Sequence, residues 1–182
     1  MVLGFLSSFQ SPFNNHVRGV RLEDIKKNPA ESMSRIASWM EIQDDTSLYI
    51  SSFCDLKYWG PKSNNTDPIT GFDPKAVKHS HGRILGKKDL MIFETLFWPF
   101  SKKYGYTAVS DADFRTNLKE IRGLVDKPLQ FEEVLYNALP DKSVPIEEQT
   151  PYKILHGTLK HYWQILDKDG DYPGIISPLW EV

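Results

Sequence analysis

His16-Val-Arg-Gly-Val-Arg-Leu-Glu-Asp-Ile25, running on through Lys26-Lys-Asn-Pro-Ala-Glu-Ser-Met-Ser-Arg-Ile-Ala-Ser-Trp-Met40, carries a strand pattern followed at once by a helix pattern. Val17, Val20 and Leu22 supply β-branched or apolar bulk, which predicts a short buried strand emerging at the paired carboxylates Glu23 and Asp24. A helix start follows: Asn28 suits the N-cap, Pro29 the first helical position, and Glu31 lies three residues after the cap. Met33, Ile36, Ala37 and Met40 then recur at the spacing of one helical face. A strand that enters a helix through an acidic turn belongs to an α/β sheet.

Val20-Arg-Leu-Glu-Asp-Ile25, with Asn28-Pro29 and Arg35-Ile-Ala-Ser-Trp-Met40, resembles the sulfotransferase family, where a V-R-Y-E-D-L strand precedes a D-P or N-P helix start and an R-(I/L)-x-x-(F/W)-(L/M) helix. A second block, His81-Gly-Arg-Ile-Leu-Gly-Lys-Lys-Asp-Leu-Met-Ile-Phe-Glu94 followed by Lys103-Tyr-Gly-Tyr106, is similar to the family's G-R-W…E…L-G-Y ending. The blocks agree in order and gap, and the resemblance covers roughly residues 15 to 106. It implies an α/β protein: a partial P-loop-like sulfotransferase fold, its C-terminal half, over residues 1–106, with a helical extension over 107–182.

The same resemblance implies transfer of a sulfuryl group from 3′-phosphoadenosine 5′-phosphosulfate to a hydroxyl or amine of a small-molecule or glycan acceptor. In the family, a glycine-containing loop with an arginine contacts the 3′-phosphate of that co-substrate. Gly82 and Arg83 are the matching residues here, with Lys78 as a helper. Glycine lets the backbone approach closely, and an arginine fork matches phosphate bidentately. The alternative for Lys78-His-Ser-His-Gly-Arg83 is a solvated cationic loop.

The chain lacks the family's N-terminal landmark. It contains no glycine-rich strand-to-helix turn and no G-x-x-x-x-G-K-(S/T). The phosphosulfate loop and catalytic base are therefore expected from a companion chain, and no catalytic residue is assigned. The opposing reading is a non-catalytic remnant acting as a binding or protein-interaction module, and a third is an unrelated helical fold, which predicts that Val17 to Leu22 does not pair as a strand.

Composition narrows the field. The 182 residues are 40% apolar and 25% charged with a formal charge of −2, an ordinary globular balance with no global footprint for nucleic acid. The single cysteine, Cys54, excludes an internal disulfide and reads as a small buried hydrophobe. No apolar run is long enough for a membrane span and no signal-peptide pattern opens the chain, so a cytoplasmic location is expected.

Metal chemistry finds little support. His79 and His81 alternate on an extended chain without a marked third ligand, and His156 and His161 miss helical ligand spacing. Asp167-Lys-Asp-Gly-Asp171 departs from the calcium-loop pattern and reads as an acidic turn after a helix. Glu23 and Asp24 read as structural carboxylates paired with Arg18, Arg21 or Arg35, against a general-acid role.

Downstream, apolar spacing predicts four further helices. One covers about 87–104, with Leu90, Phe93, Phe97, Phe100 and Tyr104 on one face, Pro99 within it and Gly105 as its terminator. Another covers about 111–125, with Phe114, Leu118, Ile121 and Val125 inward. Pro128 opens the next, with Phe131, Val134, Leu135 and Ala138 inward. Thr150 and Pro151 start the last, with Leu155, Leu159, Tyr162 and Leu166 inward.

Overall fold

Leu22–Lys27 forms a helix, α1, where a strand end was expected. The computed structural model describes residues 17–50, 52–53, 56–57, 72 and 85–180. The local sequence explains the exchange. Glu23 and Asp24 fall in the first turn of α1 and Lys26 and Lys27 in its last, each complementing the helix dipole. Among the described residues before α1, only Gly19 makes a bridge, parallel to Pro178, with the Leu179 N–H donating to the Gly19 carbonyl at 2.9 Å.

The α/β expectation is thereby corrected. The protein is helical, and besides that bridge the described strand pairing is one antiparallel pair, β1 (Ser52–Phe53) with β2 (Leu56–Lys57). Ser52 faces Lys57 and Phe53 faces Leu56. Two-residue strands supply no sheet for helices to cover, so the partial P-loop-like core is not formed by these residues.

The described residues fall into two compact units. The smaller draws on residues between 18 and 81 with the stretch from 178. Its helix α2 (Pro29–Trp39) begins at Pro29 as the Asn-Pro pair predicts, although the Asn28 side chain makes no capping bond. Ala37 and Ser32 are buried, Met33 and Ile36 are half-buried, and Met40 is exposed, so only part of the predicted stripe is covered. A 3₁₀ turn at Thr46–Tyr49 packs on α2, and its Asp45 N-cap accepts from the Ser47 N–H at 2.8 Å.

The larger unit draws on residues between 82 and 177. It contains α3 (Lys87–Lys103), α4 (Asp111–Ile121), α5 (Gln130–Asn137) and α6 (Thr150–Asp169). Helix α3 packs against the other three, and α4 also packs against α6. Ile92, Leu96, Phe114, Leu118, Ile121, Val125, Leu129, Leu159 and Leu166 form the centre of its core. Pro99 is accommodated inside α3, and Gly105 follows the helix with a φ of 67°, a left-handed conformation that suits glycine.

The predicted α4 and α6 faces lie largely inward: Phe114, Leu118, Ile121, Val125, Leu159, Tyr162 and Leu166 are all buried. On α3 the predicted Phe100 is buried and Phe93 and Phe97 pack partly against the core, but Ile92, Leu96 and Trp98 are buried as well and Leu90 lies at the surface. Tyr172 returns the chain to α3, its hydroxyl donating to the Leu96 carbonyl at 2.9 Å. Burial pushes that phenol well above the usual tyrosine range.

Candidate functional site

Lys78, Gly82 and Arg83, the predicted co-substrate contacts, lie outside the described residues, as do His79, His81 and Cys54. The described chain resumes just beyond them, where Gly86 caps α3.

In the smaller unit the Glu23–Asp24 pair contributes structure. Both Asp24 oxygens accept from the Arg21 guanidinium, each at 2.7 Å, and Trp180 Nε1 donates to Oδ2 at 3.3 Å. The Arg21 fork holds the Asp24 carboxyl below the usual carboxylate range. Glu31 pairs with Arg35 at 2.7 Å, and Arg35 lies 5.5 Å from the Trp180 ring centroid. Asp24, Glu31, Arg35 and Trp180, with Asn28 and Ser32, line a hollow of about 230 Å³. Each of its carboxylates is already held by an arginine, Asp24 by Arg21 and Glu31 by Arg35.

The larger unit carries a groove of about 630 Å³ between α3, α4 and the 106–109 connection. Leu90, Met91 and Val109 give it an apolar wall, and Glu94, Thr95 and Asn117 supply polar points. Trp98 is stacked on Phe114 at 4.1 Å, its Nε1 donates to the Val109 carbonyl at 3.1 Å, and Lys102 lies 4.7 Å from its ring. Lys102 also holds Asp111 at 2.7 Å, keeping that carboxyl below its usual range. The aromatic faces are already occupied, and no nucleophile–base pair points into the groove among its described bonds.

The most elaborate polar arrangement joins α5 to α6. His156 Nδ1 lies 2.6 Å from the Val125 carbonyl and Nε2 lies 2.7 Å from Glu132 Oε2. The same Glu132 oxygen accepts the Leu129 N–H at 2.9 Å, and Tyr152 stacks on the imidazole at 4.0 Å. Both residues are shielded from water, so the pair ties helices together and has no substrate access. Sequence spacing alone considers His156 only against His161, because its true partner lies 24 residues upstream. Among the described residues no group of three His, Cys, Asp or Glu is placed to hold a metal ion.

No family model matches the chain, and neither a curated protein nor a solved structure matches it. No described helix is long and apolar enough to cross a membrane.

Proposed function

We propose that this chain works as the C-terminal part of a sulfuryl-transfer protein. In this reading it contributes a phosphate contact for 3′-phosphoadenosine 5′-phosphosulfate while a companion chain supplies the phosphosulfate loop and the base. The reading is carried by two sequence blocks in family order and at the family's gap, although Leu22–Lys27 is a helix here where the family has a strand. Asn28-Pro29 opens α2, and α3 closes through left-handed Gly105 immediately before Tyr106.

The donor supplies the sulfuryl group; the residues of this chain hold its 3′-phosphate. Gly82 lets backbone N–H groups approach, Arg83 offers a planar two-donor fork, and Lys78 adds a point charge. Within α3, Lys88 Nζ donates to the Pro128 carbonyl, Lys102 to Asp111 and Lys103 to the Ile175 carbonyl. In this reading donor contact rests on 78–83, as the sequence resemblance implies. The helical architecture is not that of a complete transferase, so the chain is assigned no catalytic residue and the acceptor, a hydroxyl or amine, is engaged with the companion.

The test is amide-resolved NMR during addition of 3′-phosphoadenosine 5′-phosphate. The reading predicts saturable shifts concentrated at residues 78–83 and lost in Arg83→Ala. Shifts that are absent, or scattered and unaffected by Arg83→Ala, would reject it. A second reading, a helical interaction module, is favoured by one observation: the exposed apolar face of α5.

A further inference from the structure

Helix α5 wears its amphipathic pattern facing outward. Phe131, Val134, Leu135 and Ala138 follow the i, i+3, i+4, i+7 spacing that marks a buried helical face, with Ala138 as the C-cap and Leu139 just beyond the helix. At 3.6 residues per turn those four positions share an arc of about 100°. Phe131 is half-buried against the core, yet Val134 is 69% exposed and Leu135 60%, and Ala138 and Leu139 are exposed as well. The helix is held from its other side, by Leu129 in the core and by the Glu132–His156 bond. A face patterned for burial is left open while the helix is already anchored.

The apolar surface continues beyond the helix. The Tyr136 hydroxyl lies 3.2 Å from both the Lys142 and Val144 carbonyls, which folds the 138–144 loop back toward α5. Exposed Val144 then lines a shallow hollow with Asp141 and Glu148. Between residues 130 and 150 the exposed acids are Glu133, Asp141, Glu147 and Glu148, against a single base, Lys142. Exposed apolar residues on α5 and an acidic excess over 130–150 are complementary to one class of partner.

We infer that α5 and the 138–148 segment form a docking face for a cationic amphipathic helix of another protein. Its apolar side would cover Val134, Leu135 and Leu139, and its lysines or arginines would meet Asp141 and Glu148. The inference stands apart from the donor reading, since it uses none of residues 78–83.

The probe is a synthetic 16-residue Leu/Lys amphipathic helical peptide, titrated into the full chain and followed by amide NMR. The control is the same peptide with its leucines changed to serine. The expected result is a set of shifts confined to residues 131–148, seen with the Leu/Lys peptide and lost with the control. Val134→Ser/Leu135→Ser should weaken binding by about tenfold, as truncating central apolar anchors does. Glu148→Lys should weaken it at low salt and flatten its salt dependence. All three positions are exposed, so the variants keep the fold, and their unchanged spectra elsewhere verify this. Shifts at other surfaces, or equal binding by the double serine variant, would overturn the inference. So would concentration-dependent self-association abolished by that variant, which would make a second copy the occupant.

Discussion

Asp89, fully buried on the first turn of α3, accepts the Gln130 backbone N–H at 2.7 Å across a separation of 41 residues. Its second oxygen accepts from Phe131 at 3.0 Å and from Gly86 at 3.3 Å. One carboxylate thus satisfies orphan amides at the starts of two helices, α3 and α5, and fixes where the second begins. Asp89→Ala would strip these donors of their acceptor and cost about 3 kcal/mol, from a lost charge-assisted cap and buried unpaired N–H groups. Urea unfolding measures it; a loss under 1 kcal/mol would show that water replaces the carboxylate.

The Glu132–His156 pair makes a second such claim. Glu132→Ala removes the partner of the imidazole Nε2 and the acceptor of the Leu129 N–H, leaving buried polar atoms unpaired. Breaking a shielded pair of this kind costs about 3 kcal/mol. Hydrogen exchange should show the loss concentrated in α5 and the first turns of α6. Uniform loss of protection throughout the larger unit would contradict a local tie.

Glu41 closes α2 in a left-handed conformation with a φ of 55°, where the Ile42 N–H donates to the Ala37 carbonyl at 3.0 Å. A non-glycine residue pays about 1 kcal/mol there. Glu41→Gly should therefore slow amide exchange in α2 by several-fold. Unchanged or faster exchange would mean that the glutamate stabilises the turn by another route.

The Asp24–Arg21 bridge gives the smaller unit a dependence on pH. Because the folded carboxyl titrates below its unfolded value, its contribution is present above about pH 4, the ordinary aspartate range, and is lost as pH falls through the folded value. A partly exposed bidentate pair is worth about 1 kcal/mol. Following α1 and α2 amides from pH 6 to pH 2.5, wild type should lose protection on acidification, and Asp24→Asn should start lower and change less. Parallel curves would place the acid-sensitive group elsewhere.

Helix starts and stops were readable from the sequence because they are local. Pro29, Thr150 with Pro151 and Gly105 each act through their own backbone, and each sits where the chain turns into or out of a helix. The inward faces of α4 and α6 followed from their spacing for the same reason. The first stretch misled because Val17 to Leu22 carries β-formers, while the acids and lysines of 23–27 satisfy a helix without any sheet. Periodicity gave α5 the correct apolar stripe and the wrong direction: spacing tells which residues share a face, and the bonds of Glu132 to His156 and Asp89 to Gln130 decide which face turns inward. Those partners lie tens of residues away, beyond any local signal. The proposed donor contacts, Lys78, Gly82 and Arg83, rest on their sequence block alone.

The proposed hold of residues 78–83 on the 3′-phosphate of the sulfuryl donor's nucleotide is open to calorimetric titration. The ligands are 3′-phosphoadenosine 5′-phosphate and adenosine 5′-monophosphate, added to the wild-type chain and to Arg83→Ala. Wild type should bind the bisphosphate saturably, and binding should weaken by about tenfold or more when either the 3′-phosphate or the arginine is removed, as expected for loss of a bidentate charged contact. A folded wild type that binds neither nucleotide, or binds both equally well with and without Arg83, would contradict it.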